Sequence, residues 1–127
     1  LTSSLLFALL HLGNPDIGIL PILNIALFGL FASLYLLRTD NVWGIIGIHA
    51  AWNFTQGNIY GFSVSGTGVD AAVLNFIPKS DSNWLTGGAF GAEASIFSSL
   101  ILLIAVFYLL FKMKKDGVLT ELVGKTQ

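Results

Sequence analysis

The sequence predicts an all-α protein, a multi-span bundle of transmembrane helices. Three observations carry that expectation. Apolar residues make up 54% of the 127 positions and charged residues only 10%, against roughly 25% charged in a soluble domain. Six of the charges (Lys112, Lys114, Lys115, Asp116, Glu121 and Lys125) lie in the C-terminal tail, so residues 1–111 hold very few. What remains divides into uncharged apolar runs separated by short polar turns. So few charges could not solvate the surface of a soluble domain. This excludes a cytosolic enzyme and a disordered tail, and a net charge of -1 leaves no basic face for nucleic acid.

A spanning helix takes about 20 apolar residues at a rise of about 1.5 Å each. Residues 1–12 are too short and look like the end of a span that began earlier. The chain starts at Leu1, inside an apolar run, and reads as the C-terminal part of a longer membrane protein. Gly13-Asn14-Pro15-Asp16 signals a turn. Residues 17–37 form the first full span, with Pro21 in its opening turns, where proline costs least. Arg38-Thr39-Asp40-Asn41 is a second turn, and residues 42–62 form the next span. Residues 63–93, rich in Gly, Ser, Asp and Asn, read as a loop with a short helix at 70–77. Residues 94–111 are the last span. The expected organisation is thus about three full spans and one truncated N-terminal span: a membrane-embedded unit over 1–111 and a polar tail over 112–127. Lysines at 112, 114 and 115 put that tail in the cytoplasm by the positive-inside rule, with the 63–93 loop on the other side. The partners expected from composition are membrane lipids, not nucleic acid.

With no cysteine in the chain, disulfides, thiolate nucleophiles, zinc-thiolate sites and iron–sulfur clusters are excluded. No serine sits in a GxSxG elbow, and the glycine runs do not follow strands as phosphate loops do. Gly57-xxx-Gly61 and Gly87-xxx-Gly91 have the spacing of close helix packing, but equally that of loop glycines. Asn53-Phe54-Thr55 matches a glycosylation sequon inside an expected span, where no glycan can be added.

Polar groups inside spans are the informative ones, because hydrocarbon penalises them unless they find partners. Both histidines of the chain lie in apolar runs, His11 after Phe7-Ala8-Leu9-Leu10 and His49 before Ala50-Ala51-Trp52-Asn53. His49 and Asn53 are four apart and share a helix face, as do Phe7 and His11. Asn53 is placed to hold the His49 ring or to offer its amide to an oxyanion. Phe7 is placed to pack its ring on the His11 imidazole. A lone histidine in a helix is ordinarily a satisfied core residue. Two in different spans, one followed by Asn at i+4, point to a metal site or a general-base pair. Neither is complete, since a catalytic zinc takes three protein ligands. Glu93, the acid nearest a span, is read as stabilised by the dipole of the helix that follows it.

FxxxH at Phe7–His11 and HxxxN at His49–Asn53, with one apolar span between them, resemble the second and third motifs of the CPBP (Abi) family. That family comprises type II CAAX prenyl endopeptidases and bacteriocin-processing or immunity-type intramembrane proteases. The runs Trp52-Asn53-Phe54 to Gly61-Phe62-Ser63-Val64-Ser65-Gly66 and Thr86-Gly87-Gly88-Ala89-Phe90-Gly91 look like a bacterial branch of it. The resemblance implies an all-helical protease domain with a buried polar cavity, in a bacterial cell membrane. It implies a peptide or protein substrate cleaved at the membrane, and a metalloprotease in which His11 and His49 orient water or a divalent metal such as zinc. Asn53 would stabilise the oxyanion, with Phe7 in support. The family's first motif, EExxxR, supplies the water-activating glutamate and normally lies upstream. It is absent from residues 1–127, so by that mechanism this stretch alone would be inactive. A non-catalytic membrane protein of the same fold, acting in immunity or as a scaffold, is the alternative expectation. A proton or ion relay in a transporter is the third.

If both histidines serve one cavity, either the Gly13–Asp16 turn must dip into the bilayer or one of these span boundaries is wrong. His49 sits about 10 Å inside one end of its span, while His11 stands beside a turn at the other end. Irregular backbone is tolerated at that depth only where it lines a protein cavity.

Overall fold

A computed structural model describes residues 2–120. Within them the chain is helical, apart from loops and one isolated bridge between Val64 and Thr67. The principal helices are α1 (Thr2–Leu9), α2 (Ile19–Thr39), α3 (Val42–Phe54), the short α4 (Asn83–Thr86) and α5 (Ile96–Lys115). α2 and α5 are long and apolar enough to cross a membrane. The expected all-α membrane bundle is therefore the architecture observed.

α2 runs two residues beyond the expected span, and Pro21 sits buried in its first turn, where a missing N–H breaks no intrahelical bond. Its end is set by Asp40 in the left-handed region (φ 49°), whose N–H donates to the Leu36 carbonyl. Asn41 then caps α3, accepting hydrogen bonds from Trp43 N–H at 3.0 Å and Gly44 N–H at 3.3 Å. Such an Asn cap satisfies donors that a helix start leaves free. The expected 42–62 span is less regular: α3 stops at Phe54 and continues as a π-helix over Thr55–Ile59. The last helix opens on Ser95, whose hydroxyl accepts from Ser98 N–H. It runs through Lys115, so the first lysines of the expected tail are its last turn, where cations complement the dipole. Residues 121–127 of that tail, like Leu1, lie outside the described residues.

The short helix expected at 70–77 is not formed. Its apolar residues are instead laid along the end of the π-helix: Val73, Leu74 and Phe76 donate their N–H groups to the carbonyls of Asn58, Ile59 and Tyr60. Backbone donors spent on these free helix-end carbonyls are not available for a helix of their own. Gly87-xxx-Gly91 also resolves as turn, not helix packing, since both glycines have positive φ.

α2 and α5 run parallel. Near their N-terminal ends Asn24 meets Ser95 and Ser99, and near their C-terminal ends Leu34 packs with Val106, Leu109 and Met113. The salt bridge Arg38–Asp116, 2.8 Å, closes that second end. α1 returns antiparallel along α2, with Ser3 and Ser4 both 3.2 Å from the Ser33 hydroxyl. Gly29 allows this approach: a Cβ there would lie 2.9 Å from Ser4 Cα. A second cluster of Ala8, Ile25, Phe90 and Ala94 binds the end of α1 to the loop before α5, and the candidate site lies beside it.

Candidate functional site in the membrane bundle

His11 comes from the turn after α1, His49 and Asn53 from α3, and all three line one cavity of about 190 Å³ together with Phe7. The same walls include Asn24 and Phe28 of α2, Ser65, Glu93, and Ser98 of α5. α1 ends at Leu9, and residues 10–18 form an irregular turn in which His11 is half-buried. That brings His11 to the cavity that His49 faces, which the span boundaries read from the sequence left in tension.

The imidazoles are held mainly by aromatic contacts. The Phe7 ring lies 4.7 Å from the His11 ring and 5.9 Å from that of His49, and Phe28 lies 4.9 Å from His49. Phe7 thus supports both histidines, and its carbonyl accepts a hydrogen bond from His11 Nδ1 at 2.7 Å. A carbonyl can only accept, so this bond fixes the proton on Nδ1. The neutral ring is left with its lone pair on Nε2. Among the described residues no hydrogen bond joins Asn53 to His49, so the His49 ring rests on Phe28 and Phe7. The Asn53 side chain lines the cavity, and among the described residues its amide makes no hydrogen bond.

Two further polar residues belong to this wall. Asn24, 3% exposed, donates from Nδ2 to the carbonyls of Glu93 (2.8 Å) and Ser95 (3.0 Å), and its Oδ1 accepts from the Ser99 hydroxyl at 2.6 Å. It pins the start of α5 to α2. The signal that singled out the histidines, a polar side chain within an apolar run, applies to Asn24 as well. Glu93 does not simply cap a helix, because its carboxylate accepts the Ser65 N–H and borders the cavity. Gln56, buried in the π-helix, donates to the Ser63 carbonyl at 2.6 Å, fastening the following loop.

The donor set bears on a metal. Among the described residues no three His, Asp or Glu side chains are grouped to hold an ion. His11 and His49 make up two of the three protein ligands that a catalytic zinc takes, and the nearest carboxylate is engaged with Ser65. These residues do not form a metal centre by themselves.

Fold and site together define a class: a helical membrane protein that brings two imidazoles and a carboxamide to one largely apolar cavity. Residues 1–55 match the family model of the type II CAAX prenyl endopeptidases, Rce1-like. The match covers 55 of the 127 residues, the segment holding Phe7, His11, His49 and Asn53, and that segment is similar to the intramembrane proteases of CAAX type. No curated protein and no solved structure matches the chain.

Proposed function

We propose that the protein is an endopeptidase that hydrolyses a peptide bond of a membrane-associated substrate, with His11 and His49 serving the attacking water. The observation that carries this is the convergence of both imidazoles and Asn53 on one cavity. A cavity of this size holds water only where polar groups receive it, and the imidazoles and the carboxamide are such groups.

The chemistry follows from the residues. His11, with its proton held on Nδ1 by the Phe7 carbonyl, has Nε2 free to accept a proton from water. His49, one helical turn below Asn53 on the same face, offers a second ring nitrogen to orient that water. The Asn53 Nδ2–H donates to the oxygen that becomes negative as water adds to the scissile carbonyl. A carboxylate from the EExxxR motif typical of relatives would complete water activation. A divalent metal such as zinc at His11 and His49 would need a third ligand from outside the described residues, and the roles of the imidazoles stand without one. Phe28, Phe31 and Trp52 make the walls largely apolar, and a low local dielectric strengthens each polar contact. The setting is a multi-pass protein of a bacterial cell membrane with the α5 lysines on the cytoplasmic side.

The test is peptide cleavage by the full-length protein in proteoliposomes. His11→Ala and His49→Ala abolish cleavage while the fold persists. Asn53→Ala lowers kcat about 10²–10³-fold, the usual cost of one oxyanion donor, with little change in KM. Unchanged cleavage in both histidine variants would overturn the proposal in favour of a non-catalytic protein of this fold.

A further inference from the structure

The hydrolytic chemistry leaves two sequence runs unused: Gly61 to Gly66, and Thr86 to Glu93. In the structure they meet over the His11 turn. Val64 and Thr67 exchange both backbone hydrogen bonds at 2.9 Å, closing a tight turn with Ser65 and Gly66 in the left-handed region. One side of this turn holds the residues just after His11. The Ser65 carbonyl accepts from Asn14 Nδ2 at 3.0 Å, and Asn14 N–H donates to the His11 carbonyl at 3.0 Å. Gly66 lies so close to Pro15 that a Cβ would stand 2.1 Å from its carbonyl oxygen. The other side holds the approach to α5. Gly66 N–H donates to the Phe90 carbonyl at 2.9 Å, and Ser65 N–H donates to the Glu93 carboxylate. Glu93 is itself rooted in α2 through Asn24, which binds its carbonyl at 2.8 Å.

We propose that Glu93 is a positioning residue for His11, acting through Ser65 and Asn14. The Ser65 peptide is the coupling element, since its N–H and its carbonyl are both committed, one to each side. The linkage runs from α2 through Asn24, Glu93, Ser65 and Asn14 to the carbonyl of His11. It fixes the position of a turn that has no helix of its own to hold it. What Glu93 contributes is a hydrogen-bond acceptor at a fixed point; a charge there for the α5 dipole would need no bond to Ser65. This inference rests on the hydrolytic role of His11.

Glutamine keeps an Oε1 acceptor for Ser65 N–H and loses the charge, so Glu93→Gln and Glu93→Ala separate the two roles. A catalytic group displaced by about 1 Å can cost on the order of 10²-fold. On that scale, Glu93→Ala in the full-length protein lowers kcat about tenfold or more with KM nearly unchanged, and Glu93→Gln stays within about threefold of the parent. Asn14→Ala, on the opposite side of the bracket, lowers kcat like Glu93→Ala and carries the test if that variant does not fold. Two residues acting in series are not additive, so Asn14→Ala with Glu93→Ala is no worse than the worse single variant. Equal damage from Glu93→Gln and Glu93→Ala, or multiplied losses in the double variant, would overturn the assignment. If His11→Ala cleaves normally, it is the hydrolytic role that falls. The bracket is then judged by thiol cross-linking of the pair His11→Cys and His49→Cys, whose yield Glu93→Ala reduces; an unchanged yield overturns the bracket as well.

Discussion

Replacing Asn24 with alanine removes three hydrogen bonds at once, the two to the carbonyls of Glu93 and Ser95 and the one from Ser99. All of these lie between helices or between a helix and its leading loop, in a region where Asn24, Ser95 and Ser99 are each less than a tenth exposed. Interhelical hydrogen bonds in membrane proteins average about 0.6 kcal/mol and reach about 1.7, so the three together are worth about 2 kcal/mol. The Ser99 hydroxyl has a weaker alternative in the Ser95 carbonyl at 3.4 Å, which returns part of its share. Ser99→Ala therefore costs less than Asn24→Ala. Asn24→Asp costs more, because it sets a carboxylate oxygen against two carbonyls that need a donor. The assay is reversible unfolding in mixed micelles, followed by circular dichroism. The expected order of stability is parent, Ser99→Ala, Asn24→Ala, Asn24→Asp. A loss in Asn24→Ala smaller than about 0.6 kcal/mol, the mean worth of one such bond, would refute the clamp. So would an Asn24→Asp variant as stable as the parent.

Two glycines predict opposite responses to the same added methyl group. Gly29→Ala puts a Cβ 2.9 Å from the Ser4 backbone, which cannot swing aside. It costs about 1–3 kcal/mol and moves α1, hence His11, so thermal stability and cleavage both fall. Gly47→Ala meets nothing within 4 Å and is neutral or stabilising by up to about 1 kcal/mol in the same assays. At the far end, the hydrogen bond from Arg38, with lysine charges in support, holds the Asp116 carboxyl below its usual range. A depressed carboxylate contributes stability that is present above its unfolded pKa, about 3.9, and is lost as pH falls through the folded value. A pH series of unfolding midpoints between about 6 and 2 thus shows a decline that Asp116→Asn flattens. A decline identical in the variant would detach the ion pair from acid stability.

How much of this was legible depends on the kind of force involved. His11, His49 and Asn53 stood out because imidazole and carboxamide in an apolar run need a reason, and helical spacing tied Phe7 to His11. The spans of α2 and α5 followed from length and hydropathy alone. Asn24 carried the same polar signal, but its partners are two backbone carbonyls and a serine more than 65 positions away, which no local pattern displays. Glu93 was assigned to the nearest helix dipole, a local force, whereas a long-range bond to Ser65 governs it. The loss of the 70–77 helix has a tertiary cause: bonding of the Val73, Leu74 and Phe76 N–H groups to carbonyls at the end of the π-helix outweighs the apolar pattern that favoured a helix. The same reason explains the placement of the His11 turn, whose next residues are held by Ser65 and Gly66 some 50 positions later.

The central claim is that His11 and His49 face one cavity, and with no cysteine in residues 1–127 thiols introduced there test it directly, any cysteine elsewhere in the protein being replaced first. His11→Cys and His49→Cys are introduced together in the full-length protein, in membranes, and treated with a short bifunctional thiol reagent. His11→Cys with Trp43→Cys, near the start of α3, serves as the distant control. The account predicts bridging within the first pair and none within the control. Two thiols at 11 and 49 that each react but never bridge would contradict it.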